Sequence, residues 1–371
     1  MHTKGFSENV RSTFYGICRH PGLNDRELSD KLKIKQTTIT AIRKRLRRSG
    51  AYRIVKVPAM HKLDYGMLSV GVVELLPPKE KGKGEARKNI GRLASMFPDI
   101  IHLVADPLTL TYVAISKGYP EARATALKLE AELRRQGLTS LGPAPGAGTM
   151  SATSSDWGRV EVHYFPFDRS YIFNFFDFDI VLRAIFEVKD KARRRIDFEP
   201  MGLTATHLLK NKQKVLWGLV DNPESFDNIV ARKVGLTRQT VAKQREIFER
   251  SGLVTTKAMV NPRNIGLSMA VCVRVRFDVE ASVTKRRAAI EAIHSEVPVM
   301  FHTASDNEEA IMFLSDDFEQ AQGDLERIMS RYMDLHMVGT PRVNFQAVQK
   351  SETVKDLDFG ALVREMETIN E

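Results

Sequence analysis

The chain has 371 residues, 43% of them hydrophobic, and a formal charge of +10 at pH 7. That length and apolar content leave room for two to four domains with cores of their own, and exclude a disordered or fibrous chain. No secretory signal opens the sequence and no apolar run reaches the roughly 18 residues of a membrane span, so the cytoplasm is the expected location and the positive balance points to a polyanionic partner.

Val10, Phe14 and Ile17 recur at helical spacing, and Pro21-Gly22 stops that first helix. Residues 25–33 form a short amphipathic helix, and residues 35–49, within the stretch 34–50, a basic one whose Ile39, Ile42 and Leu46 share a stripe. Helix, short turn and basic helix make a helix-turn-helix pattern. Between Lys31 and Lys56 stand ten Lys or Arg and no acid. Residues 52–57 alternate basic with apolar, as expected for one arm of a wing, a short strand pair beside the groove. From Gly66 onward the pattern changes to strands at 68–76, 100–105, 110–116 and 160–167 with helices at 85–97 and 120–136, the βαββαβ order of a ferredoxin-like sheet. Residues 142–158, rich in Gly, Pro, Ala and Ser, read as a mobile loop inside this unit.

The second half repeats the first. Residues 236–252 echo 34–50 without a gap, with Thr237 as N-cap and Gly50 or Gly252 closing each helix in a left-handed conformation. Strands at 269–277, 299–304, 310–315 and 343–348 and helices at 283–296 and 318–333 follow. An offset of two hundred sets Gly66 on Gly266, Pro98 on Pro298, His102 on His302 and Asp106 on Asp306, and residues 178–183 agree with 359–364. The expected fold is α+β, two tandem copies of a winged helix-turn-helix plus a ferredoxin-like domain. Its units are residues 1–62, 63–188, 203–263 and 264–371, with a linker at 189–202 that carries the charged run 189–195.

Only the N-terminal and outward positions of a recognition helix reach base edges. That nominates Lys35, Gln36, Thr37, Thr40 and Lys44 in the first copy, and Thr237, Arg238, Gln239, Thr240, Ala242 and Lys243 in the second. Arg43, Arg47, Arg48, Arg53, Arg245 and Lys257 are assigned to phosphates. The two helices differ at most outward positions, so two unlike half-sites are expected. His102 with Asp106, and His302 with Asp306, are candidates for an effector pocket, since residues four apart on a strand share a face. The two cysteines, Cys18 and Cys272, read as buried thiols. No nucleophile constellation, phosphate-cradling loop or metal-ligand spacing is present, and the expectation is a non-enzymatic protein without cofactor or metal.

The segments Val230-Ala231-Arg232-Lys233-Val234-Gly235-Leu236-Thr237, Arg250-Ser251-Gly252-Leu253-Val254 and the connector at 260–267 resemble the Lrp/AsnC (leucine-responsive, feast/famine) regulators of bacteria and archaea. The first half carries the looser counterparts Leu28-Ser29-Asp30-Lys31-Leu32-Lys33-Ile34-Lys35 and His61-Lys62-Leu63-Asp64-Tyr65-Gly66. The resemblance implies a transcription regulator bound to double-stranded DNA in the nucleoid, with paired sheet domains and a small-molecule effector. A fused tandem then stands for a dimer, with further homodimerisation open. The glycine usual in that family's amino-acid-sensing region is missing from residues 105–109 and 305–309. Two alternatives are carried. His61-Lys62-Leu63-Asp64-Tyr65-Gly66 also resembles the connector of siroheme decarboxylases, which implies an enzyme on the same architecture. An architectural DNA-binding protein without effector is the other.

Overall fold

The computed structural model describes residues 6–77, 83–139, 160–188, 196–204 and 206–368. The loop expected at 142–158 and the charged run at 189–195 lie outside the described residues. The first half runs α1 (Glu8–Arg19), α2 (Asp25–Leu32), α3 (Gln36–Arg48), β1 (Tyr52–Pro58), β2 (Met67–Glu74), α4 (Lys83–Met96), β3 (Ile100–Ala105), β4 (Thr109–Ser116), α5 (Tyr119–Arg135), β5 (Val160–Pro166), β6 (Tyr171–Phe175) and α6 (Phe178–Ile185). The second half repeats that order as α7 (Lys210–Asp221), α8 (Asp227–Val234), α9 (Arg238–Arg250), β7 (Val254–Val260), β8 (Met269–Arg276), α10 (Val283–Glu296), β9 (Val299–Ala304), β10 (Glu308–Ser315), α11 (Phe318–Tyr332), β11 (Arg342–Ala347), β12 (Glu352–Asp356) and α12 (Gly360–Thr368). The α+β fold of helix-turn-helix heads and ferredoxin-like sheets is the one the periodicity predicts.

Local chemistry sets the heads. α2 opens with a capping box, in which the Asn24 side chain accepts from the Arg26 and Glu27 amides while the Glu27 carboxylate accepts from the Asn24 amide. α3 buries Ile39, Ile42 and Leu46, α9 buries Val241 and Phe248, and Gly50 and Gly252 take φ of 65° just beyond.

The expected wings differ. Each copy contributes one strand instead of a strand pair, and β1 pairs antiparallel with β7 from Tyr52↔Val260 to Pro58↔Val254. Ile54, Val55 and Val57 of β1 are all buried, which a hairpin standing in solvent could not achieve.

The sheets exchange strands as well. Their orders are β12-β3-β4-β2-β5 and β11-β8-β10-β9-β6, so β6 crosses to the second sheet and β12 to the first. The sheet units at 63–188 and 264–371 are therefore not self-contained. Each closing helix returns to its own head, α6 against α1 with Arg19–Asp179 at 2.9 Å, and α12 against α7 with the Arg364 guanidinium 5.0 Å from the Trp217 ring centre. One core joins both heads, the β1–β7 ribbon and the facing sheet surfaces, and separate cores lie under the α4–α5 and α10–α11 layers.

The constant offset of two hundred does not survive. Equivalence at 202 governs the chain through β2 and β8, and there Lys33 shares left-handed backbone with Gly235, and Asp64 with Gly266. The offset of two hundred holds for α4 and α10 and for Pro98 and Pro298, but Pro98 is followed by Asp99 and then β3, whereas Pro298 leads directly into β9. From there the offset is 199, so His102 matches Phe301 and Leu103 matches His302. One residue of slip moves a strand side chain to the opposite face.

The slip places His302 toward the helix layer. Its Nε2 lies 2.6 Å from Glu309 Oε1, and Arg286 Nη1 donates to Glu309 Oε2 at 2.5 Å. Tyr332 also donates to Glu309, and His294 Nε2 lies 2.7 Å from His302 Nδ1. Burial pushes the Glu309 carboxyl up, but His302, Arg286 and Tyr332 outweigh it and hold it below its ordinary range. The matching positions of the first half, Leu103, Leu110 and Leu133, are apolar and fully buried. One copy thus packs leucines where the other holds a charged network.

Breaking this network on one side leaves an uncompensated charge, so Glu309→Ala is expected to cost about 3–5 kcal/mol in urea unfolding. Replacing the set together, His302→Leu, Glu309→Leu and Tyr332→Leu with Arg286→Met, is expected to recover most of that loss. A second expectation concerns His163 of β5, whose pKa is pushed down from 6.5 to about 3 by burial and by Arg274 and Arg276. The unfolded chain protonates first as pH falls below 6.5, so stability drops between pH 6.5 and 3 with a slope of at most about 1.4 kcal/mol per pH unit from this group. Unfolding of His163→Asn across that window should show a flatter slope.

Candidate functional site

The two heads present unlike faces. On α3 and just before it, Lys35, Gln36, Thr37, Lys44, Arg45 and Arg48 are exposed, and none of the bases has a carboxylate within ion-pair distance among the described residues. Arg45 was not among the candidates, although its spacing from Lys44 and Arg48 on the outward surface was readable. On α9 the exposed groups are Arg238, Gln239 and Lys243 in the first turn and a half, while Glu246 farther along pairs with Arg250. Thr237 is the N-cap, accepting from the Thr240 amide at 3.2 Å, and the two hydroxyls lie 2.9 Å apart, so both side chains serve the cap. Ala242 is half-buried.

Several bases assigned to phosphates are engaged within the chain. Arg43 pairs with Asp25 at 2.8 Å and donates to the Leu23 carbonyl, and Arg245 repeats this with Asp227 at 2.6 Å and the Ser225 carbonyl. These twin pairs lock each recognition helix to the helix before it, and Thr40 adds a bond to Asp25 at 2.7 Å. Lys257 points to Asp177 at 2.5 Å, Arg53 to Asp356 at 2.8 Å, and Lys56 is buried against Glu249 at 2.6 Å. Arg47 reaches Glu224 of the other head at 3.3 Å but stays half-exposed. The reason is tertiary: a window without acids of its own meets acids from α2, β12 and the second head.

The four effector candidates do not converge. His302 is sealed in the helix-layer network. Asp106 caps the β3–β4 turn by accepting from the Leu108 and Thr109 amides at 2.7 and 2.8 Å, and Ser305 does the same for Glu308, so Asp306 is not its counterpart and is exposed. His102 alone faces the space between the sheets. There it lies 3.5 Å from Asp356, which also holds Arg53. Burial raises the Asp356 pKa, but His102 and Arg53 together bring it below the ordinary value.

That space is a cavity of about 440 Å³, bounded by the β1–β7 ribbon, the inner faces of both sheets and β12. Met259, Met300, Met312 and Leu314 give it an apolar wall, while Arg53, His102 and Arg263 enter its lining. Cys272 in the same lining is a free, buried thiol whose pKa burial raises to about 11, and half-buried Cys18 is free as well. Among the described residues no helix is long and apolar enough to cross a membrane.

No protein-family model matches the chain, and no curated protein matches it. Among solved structures, siroheme decarboxylase NirDL is similar at 11% identity over 98% of this chain and 99% of that one, with a TM-score of 0.49. AsnC of E. coli is similar at 14% identity over 38% of this chain and 93% of its own, with a TM-score of 0.31. A transcriptional regulator of Neisseria meningitidis, solved with L-methionine, shares 17% over 38% of this chain and 90% of its own, also at 0.31. The expectation of a non-enzymatic chain is withdrawn, since a protein similar over nearly the whole chain is a siroheme decarboxylase, an enzyme.

The ion-pair pattern separates two kinds of base. Arg45→Ala with Arg48→Ala should leave thermal unfolding unchanged and weaken retention on heparin, a generic polyanion, since both bases stand exposed on one face. Arg245→Ala, by contrast, should lower stability, since it leaves Asp227 without its partner.

Proposed function

We propose that the protein is a DNA-binding transcription regulator that reads two unlike half-sites with two heads carried on one chain, acting as a covalent pseudo-dimer in the cytoplasm of a bacterium or archaeon. The observation that carries this reading is the face of α3, where Lys35, Lys44, Arg45 and Arg48 stand exposed and, among the described residues, unmatched by carboxylates while the apolar stripe is fully packed. Phosphate contacts through such a face supply affinity, and Gln36, Thr37, Arg238 and Gln239 stand where base edges would be read. The β1–β7 ribbon and the Arg47–Glu224 pair hold the heads together, which favours a set spacing between half-sites. Selection of fragments from genomic DNA followed by footprinting tests it. Protection of two non-identical half-sites, preferred over random duplex by about a thousandfold at physiological salt, is expected. An operator with identical half-sites, or no enriched fragment, overturns it.

The cavity favours a second reading, catalysis on a bound small molecule by a siroheme decarboxylase-like protein, because His102, Arg53 and Arg263 enter one apolar chamber. Iron-uroporphyrin titrated into the protein should then show a shifted Soret band, and an unchanged band removes this reading.

A further inference from the structure

The inter-sheet cavity touches both heads through the chain. Arg53 lies in β1, three residues beyond the Gly50 that closes α3, and Arg263 follows β7, which leads out of α9. The lining is therefore built in part from the two segments that carry the recognition helices.

Its polar groups are unevenly satisfied. Thr111 and His102 are more than nine-tenths buried and both line the cavity; Thr111 Oγ1 has no hydrogen-bond partner among the described residues, and His102 Nδ1 has only the 3.5 Å approach to Asp356. Arg53 and Asp356 also line a second cavity of about 370 Å³ on the side of α7, with Lys56, Lys355, Asp221 and Asp358 around it. The Arg53–Asp356 pair thus stands between an apolar chamber and a charged one. With the Arg53 side chain 48% exposed, the pair is open to exchange, because an ion pair in contact with water is held weakly.

We propose that the inter-sheet cavity is the site of a regulatory ligand, an amphipathic organic acid whose apolar body lies among Met259, Met300 and Met312 and whose carboxylate takes Arg53 from Asp356. This rests on the regulator reading above and names its effector class and route. A guanidinium beside an apolar wall selects a carboxylate with a hydrocarbon or aromatic body, since an inorganic anion gains nothing from the wall and an uncharged body gains nothing from Arg53. Release of Asp356 frees β12 from β1, so that the end of the strand exchanged into the first sheet and the segment that follows α3 are uncoupled together. Ligand occupancy and head geometry are linked by that one pair.

The full chain is titrated with anilinonaphthalene sulfonate, and the bound dye is displaced with octanoate or octanamide. Octanoate is expected to displace it about tenfold more tightly than octanamide, the difference one charge-assisted bond supplies. Arg53→Gln should abolish that difference, and Met312→Trp should exclude both dye and octanoate by filling the chamber. Equal displacement by acid and amide, or dye binding unchanged in both variants, overturns the site. In parallel, affinity for the enriched DNA fragment is measured with and without octanoate. A shift in the wild type that is missing in Arg53→Gln supports the coupling, and an unshifted wild type overturns it. A chain that binds octanoate in this way but enriches no DNA fragment refutes the regulator reading and the control proposed through it, while the ligand site stands.

Discussion

Strand pairing between the two halves is the constraint on which the rest depends. β1 has no partner in its own copy, the first sheet is completed by β12, and the second by β6. Backbone donors and acceptors in a buried strand must be paired, so neither half can satisfy its edges alone. The exchange has a mechanical result. The heads are fastened to each other through the ribbon and to the sheets through α6 and α12, and a displacement at the sheet interface is passed to strands that continue into α3 or α9.

Duplication did not keep the copies chemically alike. A single residue fewer before β9 than before β3 changes which side chains face the helices, and the consequences are opposite in sign. In the first copy His102 faces the other sheet and lines a cavity, while Leu103, Leu110 and Leu133 make a dry layer under α5. In the second, His302 joins Glu309, Arg286 and Tyr332 in a sealed polar layer under α10 and α11. The cavity is therefore lopsided, with its imidazole on one wall and Met300 and Met312 on the other. Identity in an aligned sequence, His over His and Asp over Asp, was no evidence of spatial equivalence.

Positive charge on the heads divides into two populations with different work. Arg43 and Arg245 occupy matching positions and make matching bonds to Asp25 and Asp227, so they hold helix-turn-helix geometry. Lys44, Arg45 and Arg48 on α3 stay exposed, as do Arg238 and Lys243 on α9. The second group leaves a positive field on the surface of the heads, and the first supplies the stiffness that holds α3 and α9 against the helices before them. The greater share of unmatched charge on the first head makes the two heads unequal partners.

The sequence by itself determined the order of the helices and longer strands through β5 and β11, the repeat, and the basic helices α3 and α9. These rest on short-range physics: apolar stripes at helical spacing, Thr237 at an N-cap, Gly50 and Gly252 past a helix end, and strands as runs of buried β-formers. Helix α10 and strand β9 run over the very residues that periodicity marks. What only the tertiary structure decided is who pairs with whom. The strands β6 and β12 are five residues long and half-buried, too short to stand out before their partners are known, and β1 read as a wing because alternation does not say where the neighbouring strand comes from. The fate of Arg53, Lys56 and Lys257 was hidden for the same reason, since the acids that hold them lie far along the chain. Charge and periodicity are local properties, whereas register and ion pairing are settled only when distant segments meet.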